Sequence, residues 1–301
     1  MTTNTVSTSA AMTSPAMTSP AMTPPAGDSP TARRARFVQE SVDKSDLRSF
    51  GDDLRATPGA LRSEWIKLAS LRANKVIFTT APLVGGLVAW ALAASDTEGR
   101  LSASELFIFP LPLIATLAFV TGILMFTAEA QHGTVAVMLT ARPARWVIVS
   151  AKTVVATMVG LALGATAMAA GFGGALLGGV DVGDGSGALS RALWALLYIA
   201  LAAVIGLGVG MIVRHSAGAI SALLMWSFVI ESLFAPALPE GVVHFLPFSA
   251  GYRLLDAGPE FQPPVSIVNE LTRPQYALIF GSYALVSLAI GTVLLYRRDS
   301  N

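Results

Sequence analysis

Long, predominantly apolar runs of about twenty residues or more recur along this chain, separated by polar stretches. They cover residues 76–94, 106–127, 146–177, 189–213, 217–234 and 276–296. A helix of that length crosses roughly 30 Å of hydrocarbon, so the pattern predicts six transmembrane helices. The third run exceeds that requirement and is expected to tilt or project from the bilayer. Ahead of the first span, Leu61, Trp65 and Leu68 recur at i, i+4 and i+7, with Ser63, Lys67 and Ser70 expected on the other face. That periodicity predicts an amphipathic helix in the membrane interface over residues 57–75, opening at Thr57-Pro58. Arg72 interrupts its apolar arc and must either snorkel or mark the helix end.

Residues 1–56 read differently. The repeat AMTSP-AMTSP-AMTPP spans residues 11–25, and a mixed-charge linker follows from Arg33 to Arg55. Such a composition buries too little surface to order itself, and no basic segment followed by an apolar core opens the chain. This region is read as a disordered cytoplasmic tail. The membrane domain then occupies residues 76–296, with a cytoplasmic C-terminus at 297–301. Between the fifth and sixth spans, residues 235–274 carry apolar patches too short to cross, which predicts re-entrant or interfacial helices on the outer side.

Composition agrees with a lipid environment: 53% of residues are apolar and 13% charged, against about 25% charged in soluble domains. A formal net charge of +1 makes nucleic acid no partner, and the distribution of charge is more informative than its sum. One set of connections holds the N-terminal region through Lys75, then Arg142, Arg145 and Lys152, then Arg214, then Arg297 and Arg298. The other holds fewer basic residues among acids such as Asp96, Asp181 and Glu260. The positive-inside rule places the first set, and both termini, in the cytoplasm of a cell whose inner membrane holds the protein.

Candidate chemistry is sparse. There is no cysteine, and His132, His215 and His244 make no metal spacing. No G-x-x-x-x-G-K-[ST], H-E-x-x-H or G-x-S-x-G occurs, so nothing predicts nucleotide binding, metalloprotease or acyl-transfer chemistry on this chain, and no cofactor is expected on it. Gly160-x-x-x-Gly164 and Gly206-x-Gly208-x-Gly210 are expected helix-packing seams. Glu231 is the one acid placed inside a predicted span. An ionisable group there is a functional candidate, with an interfacial or helix-pairing role weighed against a substrate-path or proton-coupling role.

The segment joining the second and third spans is the most informative. Glu129, Gly133 and Thr134 are followed by Leu139, Arg142, Pro143 and Arg145, then by Lys152. Gly133 permits a sharp turn, Thr134 is a candidate cap, and Pro143 breaks the short helix that residues 135–139 could form. The bland alternative is an ordinary basic topogenic loop. The pattern resembles the E-x-x-x-G-T, L-x-x-x-P-x-x-R and later lysine of ABC-2-type transporter permeases. The stretch with Leu61, Glu64, Trp65, Lys67 and Leu68 is similar to the elbow helix that opens such permeases, especially in actinobacteria. The resemblance runs from about residue 60 to the C-terminus.

What it implies is an all-α fold of six spans with an elbow helix and a re-entrant extracellular segment. It implies export of an amphipathic, lipid-like or antibiotic-like substrate. The resemblance makes Glu129, Gly133, Thr134, Arg142 and Arg145 the coupling segment that docks on a separate ATPase subunit. Two ATPase copies would carry ATP and Mg, and the permease would pair as a homodimer or with a related permease. The rival readings are a proton-coupled secondary transporter working through Glu231 and a non-transporting membrane scaffold.

Overall fold

The computed structural model describes residues 50–70, 72–96, 98–99, 101–133, 145–183, 185–255 and 271–298. The tail through residue 49, with its repeat, lies outside the described residues, as do residues 256–270 of the segment before the last span. Among the described residues the fold is all-helical: α1 (Phe50–Ser70), α2 (Arg72–Ser95), α3 (Ala103–Leu106), α4 (Leu111–Gln131), α5 (Arg145–Leu177), α6 (Ala188–Val213) and α7 (Ser216–Met225). After a π-helical stretch (Trp226–Ile230) come α8 (Glu231–Phe234), a 3₁₀ turn (Ala235–Ala237), α9 (Glu240–Val243), α10 (Pro247–Leu255) and α11 (Arg273–Arg298).

Six of these units are long and apolar enough to cross a membrane: Arg72–Ser95, Ala103–Gln131, Trp146–Leu177, Ala188–Val213, Ser216–Ala237 and Arg273–Arg298. Each coincides with an apolar run of the sequence: the third has the same bounds, the fourth begins one residue earlier, and the other four extend one to four residues beyond the run at each end. At 33 residues, α5 is about 50 Å long at the helical rise of 1.5 Å per residue, well beyond the hydrocarbon thickness.

The interior is built from α4, α5 and α6. The second span has 72% of its most apolar window buried, against 22% for the fifth and sixth spans at the periphery. Small residues allow the close approach. A Cβ at Gly160 would collide with the backbone of Ala200 and Ile199 on α6, and one at Gly206 with the Phe119 carbonyl on α4. Both glycine motifs are therefore helix seams, where dispersion between close backbones replaces the absent hydrophobic drive. Around them pack Phe119, Ile123, Leu163, Ile199, Leu207 and Phe280, all buried.

Chain direction alternates through the bundle. Ser216 donates to the Gln131 side chain at 3.3 Å, joining the start of α7 to the end of α4, and Arg298 donates to the Ile212 carbonyl at 3.2 Å, joining the end of α11 to that of α6. Arg72 and Arg298 thus lie at the same end of the bundle, as an even number of crossings requires, together with Lys75, Lys152 and Arg214.

The amphipathic helix differs from its expected form. It starts at Phe50, so Pro58 sits inside it and not in its first turn. Proline removes one intrahelical hydrogen bond, and the helix-compatible residues on both sides carry the backbone through. The helix ends at Ser70, and Arg72 opens the first span instead of closing the amphipathic helix. The buried Asn74 amide bridges this corner by donating to the Leu68 carbonyl at 3.0 Å.

Its buried face also differs. Ala60, Glu64 and Leu68 turn inward, while Trp65 is 52% exposed and lines a separate cavity with Leu68 and Phe78. Lys67 is not on a solvated face either; it is half-buried among carboxylates. In a helix flanked by both protein and lipid, apolar residues suit either face, so polar pairing decides which side turns in.

Candidate functional site: a charge ring at one end and a capped helix at the other

Four charged side chains from three elements meet at the end of the bundle shared by Arg72 and Arg298. Lys152 on α5 lies 2.7 Å from Glu64 Oε2 on α1 and 2.8 Å from Glu129 Oε2 on α4. Lys67, one turn beyond Glu64, lies 2.9 Å from Glu64 Oε1 and 2.8 Å from Glu129 Oε1. Cations and anions therefore alternate around a closed ring whose formal charge is zero. The Lys152 side chain is 1% exposed, and its ammonium also donates to the Met125 carbonyl at 3.3 Å.

Burying a lone ammonium at this depth would cost several kcal/mol, and a second carboxylate beside Glu64 would be repulsive on its own. Alternation resolves both. Burial pushes the Glu64 carboxyl up, but Lys152 and Lys67 outweigh it and hold it below the ordinary glutamate range. Burial likewise pushes the Lys67 ammonium down, and Glu129 and Glu64 outweigh that, raising it above the usual lysine range. Glu64 and Lys67 are thereby both held in their charged forms. This explains why α4 continues to Gln131 past an acid at position 129, where the hydropathy pattern alone ends the span earlier.

Mechanically, the ring fastens α1 to both flanks of the loop between α4 and α5. Glu129 sits two residues before the end of α4, and Lys152 stands two turns into α5. Gly133 follows in the left-handed region at φ 68°, the positive value expected for a turn glycine, and nothing lies within 4 Å of where its Cβ would be. Thr134 and Arg142 lie outside the described residues. Arg145 opens α5, and only its backbone is described. Of the elbow-helix candidates, Glu64 and Lys67 belong to the ring, Leu61 and Leu68 pack on the core, and Trp65 faces outward.

The second polar centre lies at the opposite end. Glu231, 4% exposed, follows the π-helical stretch directly. Its Oε1 accepts from the Phe248 amide at 2.9 Å and the Trp226 indole at 3.2 Å; its Oε2 accepts from the Ser249 amide at 2.7 Å and the Ser249 hydroxyl at 2.9 Å. Phe248 and Ser249 form the first turn of α10, whose unpaired amides carry partial positive charge. A side chain of the fifth span thereby supplies the cap of another helix. Tyr252 reinforces the junction through Ser227 at 3.2 Å. This is a helix-pairing arrangement, one of the two roles expected for Glu231. Pairing with Ser249 was invisible in the sequence, because a cap contributed across the fold leaves no local spacing.

Above this junction, His244 lies 2.9 Å from the Tyr276 hydroxyl, and the Tyr283 hydroxyl donates to the Phe245 carbonyl. These contacts tie the short helices α9 and α10 to the start of α11. His215 caps α7 by accepting from the Gly218 amide at 3.1 Å.

Compared with known proteins, the sequence matches no family model and no curated protein. Six helices able to cross a membrane define the class, a multi-pass helical membrane protein.

Proposed function

We propose that this chain is the membrane-spanning subunit of an ATP-driven exporter, with ATP hydrolysis residing on a separate polypeptide. The observation that carries the reading is the charge ring. A loop that served only to fix topology needs positive charges and nothing else. Here both flanks of the loop between α4 and α5 are clamped to an amphipathic helix by four paired charges, Glu64 and Lys152 among them buried, so a push on the loop is delivered to α1, α4 and α5 together. That is what a docking segment for a motor subunit requires. The likeness of residues 129–152 to the ABC-2 permease pattern supports the same reading.

On this proposal the ring end is cytoplasmic, α1 is the elbow helix, and α9 with α10 belong to the re-entrant outer segment. Glu129 acts within the ring as a positioning residue, while Gly133, Thr134, Arg142 and Arg145 shape the surface offered to the ATPase. The proton-coupled alternative would use Glu231, whose carboxylate is committed to four donors, and is less well supported.

The absence of native cysteine makes the test clean. Single cysteines at Thr134 or Ala136 are introduced, and the chain is crosslinked in its native membranes and purified with whatever it captures. The expected product is a nucleotide-hydrolysing subunit joined at these positions and not at Ser186. Transport driven by a proton gradient in proteoliposomes holding this chain alone, with no ATPase crosslinked, would overturn the proposal.

A further inference from the structure

A cavity of about 370 Å³ lies inside the protomer, between α4, α6, the fifth span, α10 and α11. Protein interiors pack densely enough that few voids exceed a water molecule, and this volume falls within the range of about 300–1,000 Å³ of ligand pockets. Its floor is made by the buried side chains of Phe119, Ile205 and Phe280. Its mouth is made by Trp226, Val286 and Ile290, each more than 40% exposed on the lipid-facing surface. The opening is therefore lateral, between the fifth and sixth spans.

The lining contains no charged residue, and each polar group in it is already engaged. Ser287 donates to the Ala284 carbonyl at 3.1 Å, Tyr283 to the Phe245 carbonyl, and the Trp226 indole to Glu231. A polar ligand would lose its hydration and find no partner, which costs several kcal/mol for each unsatisfied group. Hydrocarbon meets no such penalty. The walls are also held: Glu231 accepts from both Trp226 and the Phe248 amide, so one carboxylate fixes two lining residues from different elements. The π-helical stretch begins at Trp226 itself, and such interruptions of an α-helix are frequent at functional sites.

We infer that this cavity is an intraprotomer binding chamber for a lipid acyl chain, which enters sideways from the bilayer between the fifth and sixth spans. The inference does not depend on the ATPase reading, because it concerns occupancy and not transport. The test reconstitutes the full chain in vesicles containing a phosphatidylcholine with a photoreactive diazirine in mid-chain, and adducts are mapped by mass spectrometry. Bulk lipid labels outward residues such as Leu278 and Leu285, 75% and 71% exposed, and serves as the internal standard.

The expected result is additional labelling of Phe119, Ile205 and Phe280, which ordinary surrounding lipid cannot reach. Ala222→Phe at the exposed rim and Val209→Phe in the wall should each abolish floor labelling while leaving that of Leu278 unchanged. The rim variant leaves the floor packing untouched, so its result does not depend on whether the wall variant folds. An unlabelled floor in the unmodified chain would overturn the inference, as would floor labelling that persists in Ala222→Phe. A cysteine at Ile290 that forms a disulfide between two copies with the floor unlabelled would assign the space to a second copy instead.

Discussion

Replacing Lys152 by Met is the sharpest perturbation of the charge ring, because methionine nearly keeps length and apolar volume while removing the ammonium. The substitution takes the ring from zero net charge to −1, and removes the ammonium that Oε2 of both Glu64 and Glu129 contact. Breaking one partner of a buried pair costs about 3–5 kcal/mol, far more than the pair itself contributes relative to apolar groups. The lower figure applies here, since the half-exposed Lys67 still bridges the two Oε1 atoms and admits water. Glu64→Gln in the same chain restores neutrality, leaving Lys67 paired with Glu129. The double variant should therefore be more stable than Lys152→Met alone, with a coupling of about 1–3 kcal/mol by double-mutant cycle. Unfolding in mixed micelles, with helicity as the readout, measures all four corners of the cycle. A single-variant loss below about 1 kcal/mol, the range of solvated surface pairs, would refute the ring as a buried unit. So would strict additivity.

Other outcomes follow from the same geometry. Gly133 has an open surround and a positive φ, so Gly133→Ala should cost about 1 kcal/mol, Gly133→Val more, and Gly133→Asn least, since asparagine tolerates that region; under the exporter proposal, efflux per ATP in a complex reconstituted with the captured ATPase should follow that order, and equal efflux in all three would return the loop to a topogenic role. The ring stability should persist across neutral pH: Glu64, held low, contributes fully above about pH 4.3 and is lost as pH falls through its depressed value, whereas Lys67, held high, contributes fully below about pH 10.4 and is lost as pH rises through its elevated value. A pH titration of thermal unfolding that shows a step near neutrality and is removed by Glu64→Gln would contradict this. Glu231→Gln places an amide NH₂ against donors from α10 and should destabilise the chain by about 1–3 kcal/mol and raise protease access at the α9–α10 segment; under the exporter proposal it should leave hydrolysis by the partner subunit intact, and loss of transport together with its pH dependence would favour proton coupling. Single cysteines at Ser186 and Ser266 should react from outside and one at Ser300 only after permeabilisation, and the reverse would invert the orientation.

The spans were legible because lipid is a demanding solvent. A helix that crosses it must present apolar residues for about twenty positions, and this constraint is written continuously in the chain. The glycine seams were legible for a related reason, since Gly160 and Gly206 are placed where no larger residue lets two backbones approach. The inward face of α1 was not. In water the apolar arc of Leu61, Trp65 and Leu68 would point to the core, but beside a bilayer an apolar side chain such as Trp65 can face outward as well. Hydropathy then no longer selects a side, and Glu64 turns inward because the buried Lys152 of α5 lies there.

The ring also shows why individual residues were easier to find than their arrangement. Glu64, Lys67, Glu129 and Lys152 each stand out as charges beside apolar runs, yet the contacts of Lys152 with Glu64 and Glu129 span 88 and 23 positions of the chain. No local periodicity encodes such separations; they arise only when α1 lies along α5 and α4 ends beside it. The same holds at the other end, where Glu231 reaches 17 residues onward to the Phe248 amide. In both cases a charged group in an apolar setting signals that partners must exist, because the cost of leaving it alone exceeds what the fold can bear. What the partners are follows from the helix packing. Residues that violate the hydropathy pattern are thus the places to look for long-range contacts, and in this chain they mark the two junctions at which α1 and α10 are fastened to the bundle.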